Sequence, residues 1–254
     1  MKRAIAVFAA GVLSAAMIAS LAACAEEPND VADNAEDMVS ERVGSRAGWE
    51  AAFSDPTQGA GDRSYTFHNA NYSIESEVRS SDGDAARVVS YELVVADEKV
   101  HRYQRSEMYI NDALHLDPNV TDNYYVADVS RYQYYYQGED GDWTMETISD
   151  LGDVDQGVSL LATSVYTGSL TEYADEYDQF IWNDEKQGYC KSVSLTGVLG
   201  TPVTATLTLK LQGGRIAAMI ISDAVPTESD NASVSISVSV MITYGGQSVT
   251  LPSV

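Results

Sequence analysis

Residues 203–212 read Val203-Thr204-Ala205-Thr206-Leu207-Thr208-Leu209-Lys210-Leu211-Gln212. Apolar and polar residues alternate strictly, a period of two that puts one kind on each face of an extended strand. Gly213-Gly214 follows, a pair that accepts the positive φ of a tight hairpin turn, and Arg215 to Val225 returns as a second strand. Val234, Ile236, Val238, Val240 and Ile242 then alternate with Ser235, Ser237, Ser239, Met241 and Thr243. A helix would scatter these β-branched residues around its surface, so the end of the chain reads as antiparallel sheet with one apolar face.

The same pattern runs backwards through the chain. Tyr72, Ile74 and Val78 alternate with Ser73, Glu75 and Glu77, and Val89, Tyr91, Leu93 and Val95 share a face. Asp97-Glu98 is a tight turn into Lys99–Tyr109. Tyr132–Tyr136 leads through Gly138-Glu139-Asp140-Gly141 into Trp143–Ile148. Tyr177–Asn183 and Tyr189–Leu195 flank the loop that ends at Gly188. Two stretches have helical spacing instead. One is Trp49, Ala52 and Phe53; the other is Val154, Val158, Leu161, Ala162 and Val165. The expected fold is α+β, mainly β. A long antiparallel meander over residues 49–254 curves into an open or partial barrel that covers two helices, because its apolar face has to be sheltered. A closed barrel without helical filling is the alternative.

The start of the chain is of a different kind. Lys2 and Arg3 precede an apolar run from Ala4 to Ile18, too short to span a bilayer, and small residues lead to Cys24 in Leu21-Ala22-Ala23-Cys24. Residues 1–23 are expected to be a cleaved signal peptide. The small residues and cysteine resemble the lipobox of bacterial lipoproteins. The resemblance implies a lipid on Cys24, a membrane as partner and an extracytoplasmic, anchored location. Residues 24–48 hold Glu26, Glu27, Asp30, Asp33, Glu36, Asp37 and Glu41 with few large apolar residues, the composition of a disordered acidic tether.

The net charge of −23 argues against nucleic acid as a partner, since phosphate binding needs clustered Lys and Arg. Cys24 and Cys190 are the only cysteines, so no disulfide framework stabilises the fold; Cys190 reads as a small apolar residue on a strand. His68, His101 and His115 have no metal-ligand spacing. Asp117, Asn119, Thr121 and Asp122 lack the glycine and glutamate of a calcium loop and read as an ordinary turn. No nucleophile elbow and no nucleotide-binding glycine loop is present, so no catalytic residue, metal or cofactor is expected, and the protein reads as non-enzymatic. Tyrosine is the enriched side chain, 16 against 4 phenylalanines. Alternation puts Tyr132, Tyr134 and Tyr136 on one face and Tyr135 on the other. With Trp143 on the following strand, the first three are the candidate ligand-binding residues.

Tyr244-Gly245-Gly246-Gln247-Ser248-Val249-Thr250-Leu251-Pro252 is similar to the final strand and short extension of the LolA/LolB-like superfamily of lipoprotein and lipid carriers. Trp49-Glu50-Ala51-Ala52-Phe53 followed by Asn71-Tyr72-Ser73-Ile74 looks like lipoproteins of Gram-positive bacteria. This likeness implies an incomplete barrel wrapped around helices and an apolar groove for a lipid or other amphiphile. The other expectation is a surface interaction protein, without a cavity, that presents its sheet face and tyrosines to a protein or glycan.

Overall fold

The computed structural model describes residues 29–54, 69–80, 85–96, 98–128, 131–138, 140–149, 173–195, 203–226 and 234–254. The signal peptide, Cys24, His68 and the helix expected over Val154–Val165 lie outside the described residues. Two α-helices, α1 (Asn29–Asp37) and α2 (Arg46–Ala52), precede the strands. The first group of strands is β1 (Ala70–Ser80), β2 (Ala85–Ala96), β3 (Lys99–Ile110), β4 (Ala113–Leu114), β5 (Asn119–Asp128), β6 (Arg131–Gln137) and β7 (Trp143–Ile148). A 3-10 helix (Tyr173–Gln179) introduces the second group: β8 (Ile181–Asn183), β9 (Gly188–Leu195), β10 (Val203–Gln212), β11 (Arg215–Pro226) and β12 (Val234–Tyr244).

All twelve strands belong to one antiparallel sheet in the order β7-β6-β5-β3-β2-β1-β12-β11-β10-β9-β8, with β4 paired to β3. The sheet is not closed: β7 and β8 are its two edges. Each half is a meander, and the halves meet where the first strand pairs with the last, from Ala70 opposite Tyr244 to Ser80 opposite Val234. Val31–Val254 forms one compact unit, which therefore begins well before residue 49.

The alternation read from sequence divides the faces as expected. Tyr72, Ile74, Leu93, Val95, Leu207, Leu209, Leu211, Met219, Ile221, Val238 and Val240 form one buried cluster on what we call the inner face. Trp49 belongs to the same cluster, fully buried, with its ring 4.9 Å from Phe180 and 5.2 Å from Phe53 and Tyr189. The Ser45 side chain accepts a hydrogen bond from the Gly48 N–H at 3.2 Å and so caps the start of α2. Trp49 Nε1 donates to the Tyr173 carbonyl at 2.8 Å, which joins α2 to the 3-10 helix.

Three expectations are corrected. Residues 29–48 are not a disordered tether. They form α1 and then an extended strap that follows the β10–β11 hairpin. The Glu41 N–H donates to the Leu211 carbonyl at 2.8 Å, and the Glu41 carboxylate accepts from the N–H groups of Gly213 and Gly214 at 3.1 and 3.0 Å. Composition misled because this strap is held by polar contacts rather than by an apolar stripe. The strand expected from Tyr177 starts at Ile181, because Tyr173–Gln179 coils to pack Tyr173 and Tyr177 beside Trp49. Asn119–Asp122 is not a turn but the beginning of β5, in register with Ser106–Tyr103 of β3.

Candidate functional site

The inner face changes character along the sheet. Across β10, β11, β12, β1 and β2 it is aliphatic. Towards β7 it turns polar and aromatic. Cross-strand pairing places Arg102 (β3) beside Asn123 (β5), Asn123 beside Tyr136 (β6), Tyr125 beside Tyr134, and Tyr134 beside Glu146 (β7). Directly opposite residues project from the same face, so these side chains form one patch. Tyr125 and Tyr134 stack at 5.3 Å and 21°, and Tyr134 and Tyr136 at 5.1 Å and 20°. Tyr134 therefore has a ring on each side. What Tyr134 offers a ligand is its ring edge and hydroxyl, not an open ring face.

The polar groups are specific. Arg102 is buried, donates to the Tyr125 hydroxyl at 2.8 Å and lies over the Tyr91 ring at 5.6 Å. The Tyr136 hydroxyl donates to Glu146 Oε1 at 2.7 Å, which raises the phenol's pKa above the tyrosine range. Burial raises Tyr134 likewise, opposed by a hydrogen bond with Asn123 and by the charge of Arg102. Both phenols are thus protonated donors at neutral pH. Asn123 is 2% exposed, and its Oδ1 has no hydrogen-bond partner. A buried acceptor left open costs about 1–3 kcal/mol, which a donor from a bound molecule would offset.

Tyr132, Tyr134 and Tyr136 share the inner face, as alternation requires. Trp143 does not join them. It pairs with Gln137 on the outer face, where its ring meets Tyr124 edge-on at 5.4 Å. His101 is there too, stacked on Tyr124 at 4.3 Å, with Nε2 2.8 Å from Asp122 Oδ1. His115 is exposed in the connection between β4 and β5. Arg102, Asn123 and Glu146 were not singled out from sequence. The available signal was the cross-strand register itself, since on a half-polar strand an inward polar residue looks like an outward one.

The outer face carries a second feature. A cleft of about 270 Å³ is lined by Glu36 of α1, by Glu185 and Lys186 of the β8–β9 turn, and by Thr208, Lys210 and Ser222 of β10 and β11. Lys210 is 1% exposed. Its Nζ donates to the Met38 carbonyl at 2.8 Å and to the Glu36 carbonyl, and burial lowers its pKa from the ordinary lysine value. Cys190 is half-buried at the margin, with Sγ 3.4 Å from Thr208 Oγ1. Among the described residues no group of three or more His, Cys, Asp or Glu could hold a metal ion, and no helix is long and apolar enough to cross a membrane.

No protein-family model matches this chain. No curated protein matches it in sequence. Among solved structures it is similar to a putative outer membrane lipoprotein-sorting protein domain from Vibrio parahaemolyticus, at 6% identity and a TM-score of 0.23, over 73% of this chain and 87% of that one. It is also similar to a beta-barrel-like protein of a domain of unknown function, DUF1849, from Brucella abortus, at 7% identity and a TM-score of 0.20, over 70% of this chain and 97% of that one.

Proposed function

We propose that this protein is a non-enzymatic envelope lipoprotein, held to the membrane through Cys24, that binds a lipid or other amphiphile along the inner face of its open sheet. One observation carries the reading. The apolar cluster runs without a break into the Tyr125–Tyr134–Tyr136 stack, where the acceptor Asn123 Oδ1 is buried and unsatisfied. An aliphatic surface that ends in phenols, an amide and a guanidinium matches a molecule with a hydrocarbon part and a polar head that both accepts and donates hydrogen bonds.

The test uses the full chain carrying Cys24→Ala, so that its own acyl groups do not interfere. This variant is expected to leave the membrane fraction. Native mass spectrometry is expected to find it with co-purified amphiphile, or to show uptake of lysophosphatidylglycerol. In the same background Tyr134→Ala and Asn123→Ala are expected to weaken that uptake at least about tenfold, the loss of one buried hydrogen bond. Retention in the membrane would refute the anchor. An empty chain that ignores added lysolipid would refute the ligand.

A further inference from the structure

The chain passes from one face of the sheet to the other. Ala35 of α1 is fully buried against Ala218 and Ile220 of the outer face, whereas Trp49 of α2 is buried on the inner face. α1 packs on Ile220, and register extends the outer-face row from there: Thr208 (β10), Ile220 (β11), Ser239 (β12), Glu75 (β1) and Ser90 (β2) lie side by side. Glu75 is the one carboxylate in that row. It is 7% exposed, and its Oε2 has no hydrogen-bond partner. Among the described residues no cation stands opposite it. β12 offers Ser239 and β2 offers Ser90. Arg105 of β3, next in the row, is engaged by Glu107 at 2.6 Å. The charges that act on Glu75 are those of Glu77 on its own strand, which Arg79 engages at 2.5 Å, and of Asp33 of α1.

We infer that α1 is a pH-gated clasp, docked on the outer face while Glu75 is protonated and loosened when Glu75 ionises near the acidic helix. Burial first, then the charges of Glu77 and Asp33, raises the Glu75 pKa from 4.5 to about 7. The sign follows from linkage. The docked state holds the proton more tightly, so docking is strongest below the ordinary carboxylate pKa and weakens as pH rises to about 7, above which it changes no further. Lys210 also faces α1, with Glu36 and Asp37 near its amine. Its shift is downward, so rising pH favours burial of the neutral amine. Lys210 therefore cannot be the source of loosening on going from acid to neutral pH. Glu36 also lines the outer cleft, so release of α1 removes a wall of that cleft. If the anchor on Cys24 proposed above is correct, the clasp also sets whether the body is first fixed near Val31 or only near Ser40, and so its reach from the membrane.

The experiment is hydrogen exchange read by mass spectrometry on the full chain at pH 5.5 and pH 8, corrected for intrinsic exchange, over peptides covering residues 31–38. Neither lipidation nor ligand binding enters this readout, so it fails or succeeds separately from the proposed function. Protection of α1 is expected to fall by about tenfold or more from pH 5.5 to pH 8. If release of α1 returned Glu75 from about 7 to its ordinary 4.5, the change between these two pH values would be roughly 30-fold. In Glu75→Gln, which is neutral at both values, protection is expected to stay at its acid level. Asp33→Asn keeps Glu75 in place and removes one repulsive charge, so the fall is expected to shrink; this variant serves if Glu75→Gln does not fold. Equal protection at both pH values in the parent chain, or an unchanged fall in the variants, would overturn the clasp.

Discussion

Lys210 shows how a residue with an ordinary place in an alternating strand acquires an unusual role. By pattern it belongs to the polar, solvent-facing row of β10. In the structure α1 covers that row, and the amine is left 1% exposed with the carbonyls of Glu36 and Met38 as its acceptors. Those carbonyls end the helix and have no intrahelical donor, so the lysine completes α1 from beneath while its charge suits the negative end of the helix dipole. Burial opposes the charge; the carbonyl contacts favour it. Lys210→Met keeps the length of the stem and deletes the donor. It is expected to remove the protection of α1 and to lower global stability by about 1–2 kcal/mol, less than the cost of two stranded carbonyls because a released helix end regains water. Urea unfolding with hydrogen exchange over residues 31–38 measures both. An α1 as protected in Lys210→Met as in the parent chain would show that the amine is not what holds it.

At the scale of elements, α2 is short and depends on its ends. Seven residues cannot form a stable helix in isolation, so the Ser45 cap and the seat of Trp49 in the core fix it together. Ser45→Ala is expected to cost about 1 kcal/mol, seen as a lower urea midpoint with an unchanged slope, because the Gly48 N–H loses its acceptor while the core remains intact. A changed slope would mean that the cap also shapes the unfolded or partly folded chain. This element was legible in the sequence, as were β1, β2, β3, β10, β11 and β12, because each buries large side chains at a fixed period. α1 was not. Ala35 and Met38 are the apolar residues with which it and the residue after it join the small outer-face cluster, and a further hold is through backbone carbonyls, which no composition reveals. β5 was hidden because its first residues, Asn119 to Asp122, are turn-formers by type that pairing with β3 forces into extended form. The candidate site was half legible. Alternation gave the common face of Tyr132, Tyr134 and Tyr136. It could not place Trp143, whose face depends on the register chosen across the turn at Gly138–Asp142, nor could it find Asn123 and Arg102, which matter only through their cross-strand neighbours.

At the scale of the whole molecule, the join between β1 and β12 decides whether there is one sheet or two. Everything from β1 to β7 is paired by local connections, as are β8 to β12. The two meanders share one long ladder, eleven residue pairs from Ala70–Tyr244 to Ser80–Val234. Its partners lie more than 150 residues apart in sequence, so the ladder forms against the entropy of closing the intervening chain. The inner cluster straddles it: Tyr72 and Ile74 come from one side, Ile236, Val238, Val240 and Ile242 from the other, and Trp49 reaches the same core from the N-terminal strap. Removing residues 234–254 would therefore do more than delete an end strand. It would expose the apolar faces of β1 and β11 along the cut, leave two meanders with no shared ladder, and open the row on which α1 sits. The truncated chain is expected to lose cooperative unfolding and to aggregate or yield to brief proteolysis, whereas removal of one edge partner through Met145→Pro in β7 is expected to leave the transition cooperative, because an edge strand tolerates proline and β6 keeps its pairing with β5. Circular dichroism melts and limited proteolysis of the two variants separate these outcomes. A truncated chain that still melts in one sharp step would mean that each meander is stable alone and that the central ladder is not what makes this sheet a single body.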